Sequence, residues 1–352
     1  MGQRLTVAMS GGVDSTVAAY LLAQQGHELT GITLRMHTCG GEGEADQAAR
    51  IAHQLGFDHR CVDMTDLFRC RVMDQFAAAY EQGQTPNPCI QCNRHIKFGA
   101  LVDLAAGLGC EGVATGHYAR IERDTATGRL LLKTALHPEK DQSYVLYMLT
   151  QAQLEASRFP LGGLSKGEIR QIAAEQGLVN AHKADSQDIC FIPDGDYAGF
   201  IRRHTGRDYP AGDFVDPTGR VLGRHEGIIA YTLGQRRGLG VSSANGRLYV
   251  TGIDPAANTV TLSGGDGLFA RTLEASDINF IPFDRLDKPL QAQAKTRYRQ
   301  QAQPCVVEQV GQDRIRVTFD QPQRAMTPGQ AVVLYEGDMV IGGGTIDRVQ
   351  GD

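Results

Sequence analysis

The stretch "LTVAMSGGVDSTVAAYLLAQQG" (residues 5–26) constrains the fold more than any other part of the chain. An apolar, β-rich run meets a glycine-rich turn at Ser10–Ser15 and passes into an apolar-striped helix that stops at Gly26. "ELTGITLRM" and "HRCVDM" follow as strands, with "EADQAARIAHQLG" as an amphipathic helix between them. "TDLFRCRVMDQFAAAYEQG" reads as a further helix, and "CEGVATGHYAR" as a strand running into a loop. "SYVLYMLTQAQLEA" and "SKGEIRQIAAEQG" read as two more helices. Strand–helix alternation of this kind predicts an α/β N-terminal domain built on a doubly wound parallel sheet.

From about Gly206 glycine and proline become frequent and the helical period is lost. "RLYVTGIDPAANTVTLSG" reads as two strands around a turn, and "AQAKTRYRQ", "QDRIRVTFD", "GQAVVLYEG" and "DMVIGGGTIDRV" are spaced as in a small antiparallel barrel. The expected order is an α/β domain over residues 1–200, a small central Gly/Arg-rich domain over 201–265, and a C-terminal antiparallel β-barrel over 266–352.

Composition narrows the classes. Hydrophobic residues make up 41% of the 352, enough for buried cores throughout. Eight cysteines are too few for a disulfide scaffold in a chain this long. No apolar run approaches the roughly 20 residues of a membrane span, and "LTVAM" is too short for a secretory core, so a cytoplasmic protein without a membrane partner is expected. A net charge of −5 argues against a general nucleic-acid coat but leaves room for local basic grooves.

The turn Ala8–Ser15 (Ala8, Met9, Ser10, Gly11, Gly12, Val13, Asp14, Ser15) has the chemistry of a phosphate cradle. Gly11 and Gly12 let backbone approach an anion, the helix start aims N–H groups at it, and Ser10 and Ser15 add hydroxyls. Asp14 can cap the helix or help position Mg2+. The lysine of the Walker loop is missing. The bland alternative is a strand-to-helix turn with a polar cap.

"TPNPCIQCNR" (85–94) puts Asn87 and Pro88 at a helix start, with Cys89 and Cys92 in its first turn, where the dipole favours thiolate. Cys190 lies in "DSQDICFIPDGDY", a partly shielded loop. Cys39, Cys61, Cys70, Cys110 and Cys305 read as buried, inert thiols. A structural zinc site wants four ligands, and no second CxxC is present.

Taken together, "AMSGGVDS", "TPNPCIQCNRHIKF", "ATGHYAR", "KDQSYVLY", "DSQDICFI", "YTLGQRRGLG", "KTRYRQ" and "TPGQAVVLY" resemble, in order, the tRNA-specific 2-thiouridylase family, over nearly the whole chain. The first of them resembles the ATP-pyrophosphatase loop. The resemblance implies ATP-dependent 2-thiolation of the wobble uridine of tRNA, with a PP-loop catalytic domain and a tRNA-binding C-terminal barrel. It assigns Cys92 as nucleophile, Cys190 as persulfide carrier, and Ala8–Ser15, Leu34 and Gly116 to ATP. It assigns Asn87, Pro88 and Cys89 to the target base, and His117, Lys140, Asp141, Gln142, Arg297, Tyr298 and Gln330 to tRNA. The sulfur source it implies is a donor protein, either a persulfide relay or a cysteine desulfurase.

Two departures stand out: many relatives carry aspartate where this chain has Cys89, and the stretch after Met36 is shorter here. Two sulfur routes therefore stay open. Sulfur can travel as a persulfide between Cys190 and Cys92, or as hydrosulfide on a [4Fe–4S] cluster held by Cys89, Cys92 and Cys190. The basic stretches "FIRRHTGR" (Arg202, Arg203, Arg207), "GQRRGLG" (Arg236, Arg237) and "KTRYRQ" (Lys295, Arg297, Arg299) are the expected phosphate contacts. Competing readings are another PP-loop ligase, which leaves the three cysteines unexplained, and a non-enzymatic zinc RNA-binding protein, which leaves SGGVDS without a role.

Overall fold

A computed structural model describes residues 2–37, 42–178, 189–242 and 246–351. Strand β1 (Arg4–Ala8) leads through the glycine turn into helix α1 (Val13–Gln24), and β2 (Glu28–Arg35) and β3 (Asp58–Asp63) are laid beside it. The chain then crosses to the other side of β1 to form β4 (Gly112–Ala114). A hairpin, β5 (Ala119–Arg123) and β6 (Leu130–Thr134), precedes the short β7 (Ser157–Arg158). The sheet order is β3-β2-β1-β4-β7, and every pairing is parallel. Leu5 and Val7 of β1 are wholly buried, as a central strand covered on both faces requires. The strand order reverses between β1 and β4, so the crevice beyond their carboxyl ends is where an open parallel sheet binds ligands.

Two long helical runs, 65–81 and 88–107, pack against each other, and the second also packs on β4. Each contains a π-helical stretch, Arg69–Met73 in the first and Asn93–Ala100 in the second. Residues 143–156 do not form the single helix expected of them. Tyr144 to Leu149 are six consecutive buried apolar residues, with no polar face for a surface helix to present. They run irregularly against the barrel until Thr150, whose reciprocal bonds with Gln153 start a fresh helix, Gln151–Glu155. The last helix of this half, Tyr197–Thr205, is capped by Asp196 and ends on left-handed Gly206, where the helical period also stops in the sequence.

Strands β8 (Gly212–Val215), β9 (Val221–His225), β10 (Tyr249–Asp254) and β11 (Thr259–Ser263) form the central sheet, in the order β10-β11-β8-β9. The last six strands are β12 (Phe269–Phe280), β13 (Leu290–Lys295), β14 (Gln303–Gly311), β15 (Arg314–Arg324), β16 (Ala331–Glu336) and β17 (Met339–Gln350). They run β12-β15-β14-β13-β16-β17 and close through a β12–β17 pairing, which removes both sheet edges. The β5–β6 hairpin of the first domain joins this barrel where Lys133 pairs with Met339. The first and last domains are thus joined through one sheet. Among the described residues no helix is long and apolar enough to cross a membrane.

Candidate functional site

The glycine-rich turn Ser10–Ser15 is preorganised by its own hydroxyls. Ser10 N donates to Ser15 Oγ at 3.2 Å, Gly12 N approaches Ser10 Oγ at 3.4 Å, and Ser15 Oγ donates to the Gly12 carbonyl at 3.1 Å. Gly116, two residues past β4, lies flat against the loop. A Cβ on it would stand 2.9 Å from both Asp14 C and Ser15 N. The expected ATP residues therefore meet at the carboxyl ends of β1 and β4, with Leu34 near the end of neighbouring β2. Asp14 has a more definite role than the sequence offered: its Oδ1 accepts from Lys166 Nζ and from the Tyr118 hydroxyl, each at 2.7 Å. Neither partner stood out in the sequence, because both come from distant segments.

Cys92 ends the helix Pro88–Cys92 and lies beside the carboxyl end of β2. It is buried, with its Sγ 3.8 Å from Met36 Sδ just beyond β2. Cys89 and Cys190 are both exposed. The loop carrying Cys190 is anchored by the next residue: the Phe191 ring packs on Phe200 at 5.0 Å, Phe76 at 5.5 Å and Phe68 at 5.6 Å. Asp185 to Asp188 of the same motif lie outside the described residues. Lys97 acts on all three thiols, and Cys92 feels both Cys89 and Cys190.

The expected thiolates are not the resting state. Burial pushes the Cys92 thiol up to about 12, and desolvation raises Cys89 and Cys190 as well. Cys89 shares this although it is exposed, because it sits in a hollow walled by protein. The Lys97 charge opposes all three shifts without cancelling them. Removing a thiolate from water is the largest influence on all three. Of the thiols expected to be buried and inert, Cys305 is buried and held up to about 12, and Cys110 is half-buried. Cys61 and Cys70 are exposed, one on edge strand β3 and one on the outer side of run 65–81; Cys39 lies outside the described residues.

Among the described residues, no three His, Cys, Asp or Glu side chains converge closely enough to hold a metal ion. Cys92 turns inward onto Met36 while Cys89 and Cys190 stay at the surface, so the three thiols as folded do not fit a cluster. Nor, among the described residues, do carboxylates group into a Mg2+ site of their own.

The segment entering this site is clamped from three sides. Thr85 N donates to the Pro328 carbonyl at 2.9 Å, and Gln330 Nε2 donates to the Thr85 carbonyl at 2.6 Å, both from the barrel. From the central domain, Thr232 Oγ1 lies 3.3 Å from Thr85 Oγ1. Asn87 then caps the helix by accepting from Cys89 N at 3.1 Å, and buried Pro88 fills the first turn. All three domains meet at "TPNPC".

This junction gives several residues expected on tRNA an internal role. Arg297 Nη2 donates to the Ala325 carbonyl at 2.8 Å and lies 3.5 Å from the Leu233 carbonyl, tying barrel to central domain. The Asp141 carboxylate accepts from Ala135 N, Ser143 N and Ser143 Oγ, and Gln142 pairs with the Tyr118 backbone. His117 is buried against Phe98 and Phe159, and burial holds its pKa well below the usual value, so the ring is neutral. Arg207 is committed to Glu81, and Arg202 to the Glu226 carbonyl. Arg203 lies 3.7 Å from Asp196, and Lys295 lies 3.7 Å from Asp141. Tyr298 is exposed, its hydroxyl 3.2 Å from the Asp141 carbonyl. Arg236, Arg237 and Arg299 are exposed and have no side-chain partner among the described residues.

Family models match the chain in three consecutive pieces. Residues 3–194 match a tRNA methyl transferase HUP domain, 198–264 a tRNA methyl transferase PRC-barrel domain, and 270–346 an aminomethyltransferase β-barrel domain. The tRNA-specific 2-thiouridylase MnmA of Clostridioides difficile is 44% identical over 358 aligned positions, covering 99% of both chains. Its namesake from Clostridium acetobutylicum is 43% identical, covering 98% of this chain and 100% of its own. A solved 4-thiouridine synthetase–RNA complex overlaps 58% of this chain and 50% of its own at 18% identity and a TM-score of 0.39, too remote to bear on function. With full-length relatives at this identity, the chain belongs to the tRNA-specific 2-thiouridylase family.

Proposed function

We propose that this protein catalyses ATP-dependent 2-thiolation of the wobble uridine of tRNA, with sulfur passing through Cys190 and Cys92. One observation carries the reading: the glycine turn follows β1, and Cys92, which feels the charges of Cys89 and Cys190, packs on Met36 just past neighbouring β2. A uracil carbonyl is a poor electrophile and its oxygen a poor leaving group. Transfer of AMP to O2 turns that oxygen into a good one, so the two halves of the site have a reason to be neighbours.

In this reading ATP, with Mg2+ on its phosphates, lies on Ala8–Ser15, against Gly116 and Leu34. The exposed Cys190 receives a sulfane sulfur from a donor protein, which its position allows. The terminal sulfur attacks C2, the C2–S bond forms, and the C2–O2 bond breaks with its electron pair leaving on AMP. Cys92 Sγ then attacks Cys190 Sγ. The former persulfide bond breaks, its electrons stay on the sulfur now bound to C2, and the Cys92 proton is matched by one gained at N3. The resulting Cys92–Cys190 disulfide is reduced by an external dithiol before the next turnover. Cys89 does not enter these steps, in keeping with the aspartate many relatives carry there.

The tRNA reaches the site along Arg236, Arg237, Tyr298 and Arg299, whose guanidinium groups have no partner among the described residues and whose ring can stack on a base. Asn87, Pro88 and Cys89 border the target base, and Lys140 lies on the same approach. His117, Asp141, Gln142, Arg297 and Gln330 act by shaping this surface. The test is to incubate protein, ATP, a persulfide donor and unmodified tRNA, then digest and look for 2-thiouridine by mass spectrometry. Its formation only when ATP and both Cys92 and Cys190 are present is the expected result. Thiouridine formed without ATP, or normally in Cys190→Ser, would refute the reading.

A further inference from the structure

Lys97 belongs to none of the assignments above, yet three observations single it out. The first is helical register. In an α-helix five residues span about 1.4 turns, which would put Lys97 on a different face from Cys92. Asn93–Ala100 is π-helical, and its i to i+5 bonding brings the fifth residue back over the first. The second is isolation. Lys97 is half-buried and has no hydrogen-bond or ion-pair partner among the described residues, whereas Lys133, Lys166 and Lys295 all face carboxylates. A half-enclosed ammonium that meets no anion among the described residues can receive one that arrives. The third is its surroundings. Its charge is felt by Cys89, Cys92, Cys190 and His117.

We propose that Lys97 is a catalytic residue that binds the phosphate of the adenylated uridine and stabilises AMP as it leaves. This rests on the proposed adenylation of O2. It is independent of how sulfur is carried, since any sulfur nucleophile must displace the same group. The phosphorus is two bonds from C2, so when C2 reaches sulfur at Cys92 or Cys190, the phosphate oxygens necessarily lie beside those thiols, where Lys97 is. As the C2–O2 bond breaks, its electron pair adds a second negative charge to the phosphate. A fixed cation there favours the transition state over the ground state. Neutral His117 and the protonated thiols leave that charge uncompensated by anything else in the cluster.

The test follows [α-32P]ATP with Lys97→Met and Lys97→Arg under single-turnover conditions, measuring labelled adenylated tRNA, released AMP and thiouridine separately. Lys97→Met keeps the length of the side chain and removes the charge. The expected result is adenylated tRNA at near wild-type yield that accumulates, while AMP release coupled to thiouridine slows by about 100-fold or more, the scale of losing one such electrostatic contact. Lys97→Arg should recover much of the rate. A merely structural lysine would not make the intermediate accumulate. Normal thiouridine formation in folded Lys97→Met, or loss of adenylation itself, would overturn the proposal. If the wild-type enzyme forms no adenylated tRNA at all, the adenylation reading fails first, and with it the role given to Lys97.

Discussion

Gly329 gives the sharpest structural prediction, because it sits where the barrel grips the cysteine segment. Its φ is +87°, a region where an L side chain costs about 1–2 kcal/mol. A Cβ there would also stand 3.0 Å from Gln84 Cβ, 3.1 Å from Thr85 N and 3.2 Å from Thr85 C. Carbon atoms prefer about 3.5–4.0 Å, so the strand of chain at 84–85 must retreat by several tenths of an ångström. That retreat pulls on the Thr85 N to Pro328 bond and on the Gln330 to Thr85 bond. Each is worth about 0.5–1.5 kcal/mol. Gly329→Ala should therefore cost about 2–4 kcal/mol of stability in urea unfolding, against about 1 kcal/mol for Gln330→Ala. Because the shift is transmitted through Pro86 to Cys89, thiouridine formation should fall in Gly329→Ala below the melting transition, while nucleotide binding persists. Wild-type stability together with a wild-type thiolation rate in Gly329→Ala would show that the three-domain clamp does not set the position of the cysteine helix.

Gly12→Val should leave the fold intact, since its Cβ would meet only Ser10 Oγ at 3.3 Å at an ordinary extended φ of −90°, but should abolish adenylated tRNA while tRNA affinity survives. Cys89→Asp should retain much of the thiolation activity and show no associated iron when purified without oxygen; loss of iron and activity together would restore the cluster route. Because burial raises the thiols, the thiolate fraction at Cys92 lies far below one at neutral pH and grows about tenfold per unit of pH. Single-turnover release of thiouridine should accordingly rise between about pH 7 and about pH 9, and a flat profile would mean that Cys92 does not limit it.

The sequence was most informative where a local pattern decides the outcome. Strand, glycine turn and helix at residues 4–24 need only neighbours in the chain to be recognised, and so does the helix end at Gly206. Residues 143–156 misled because a fully buried apolar run carries no period, leaving nothing to separate helix from irregular core. The resemblance assigns Arg297 and Asp141 to tRNA, and no sequence pattern shows that the Ala325 carbonyl and the Ser143 hydroxyl already engage them. The thiols were misjudged because a helix dipole can be inferred from Asn87-Pro88, whereas desolvation at Cys92 depends on Met36 and on packing set far along the chain. Lys97 was hidden by the π-helical register, which an α-period does not reveal.

The central claim is that the phosphate loop and the cysteines act on one atom, the uridine O2. It can be tested with tRNA carrying 18O at C2 of the wobble uridine, thiolated by the enzyme with unlabelled ATP, followed by mass spectrometry of the AMP. The account predicts one 18O atom in the AMP phosphate for each thiouridine formed, and none in pyrophosphate. Thiouridine accompanied by unlabelled AMP, with the 18O released to water, would contradict it.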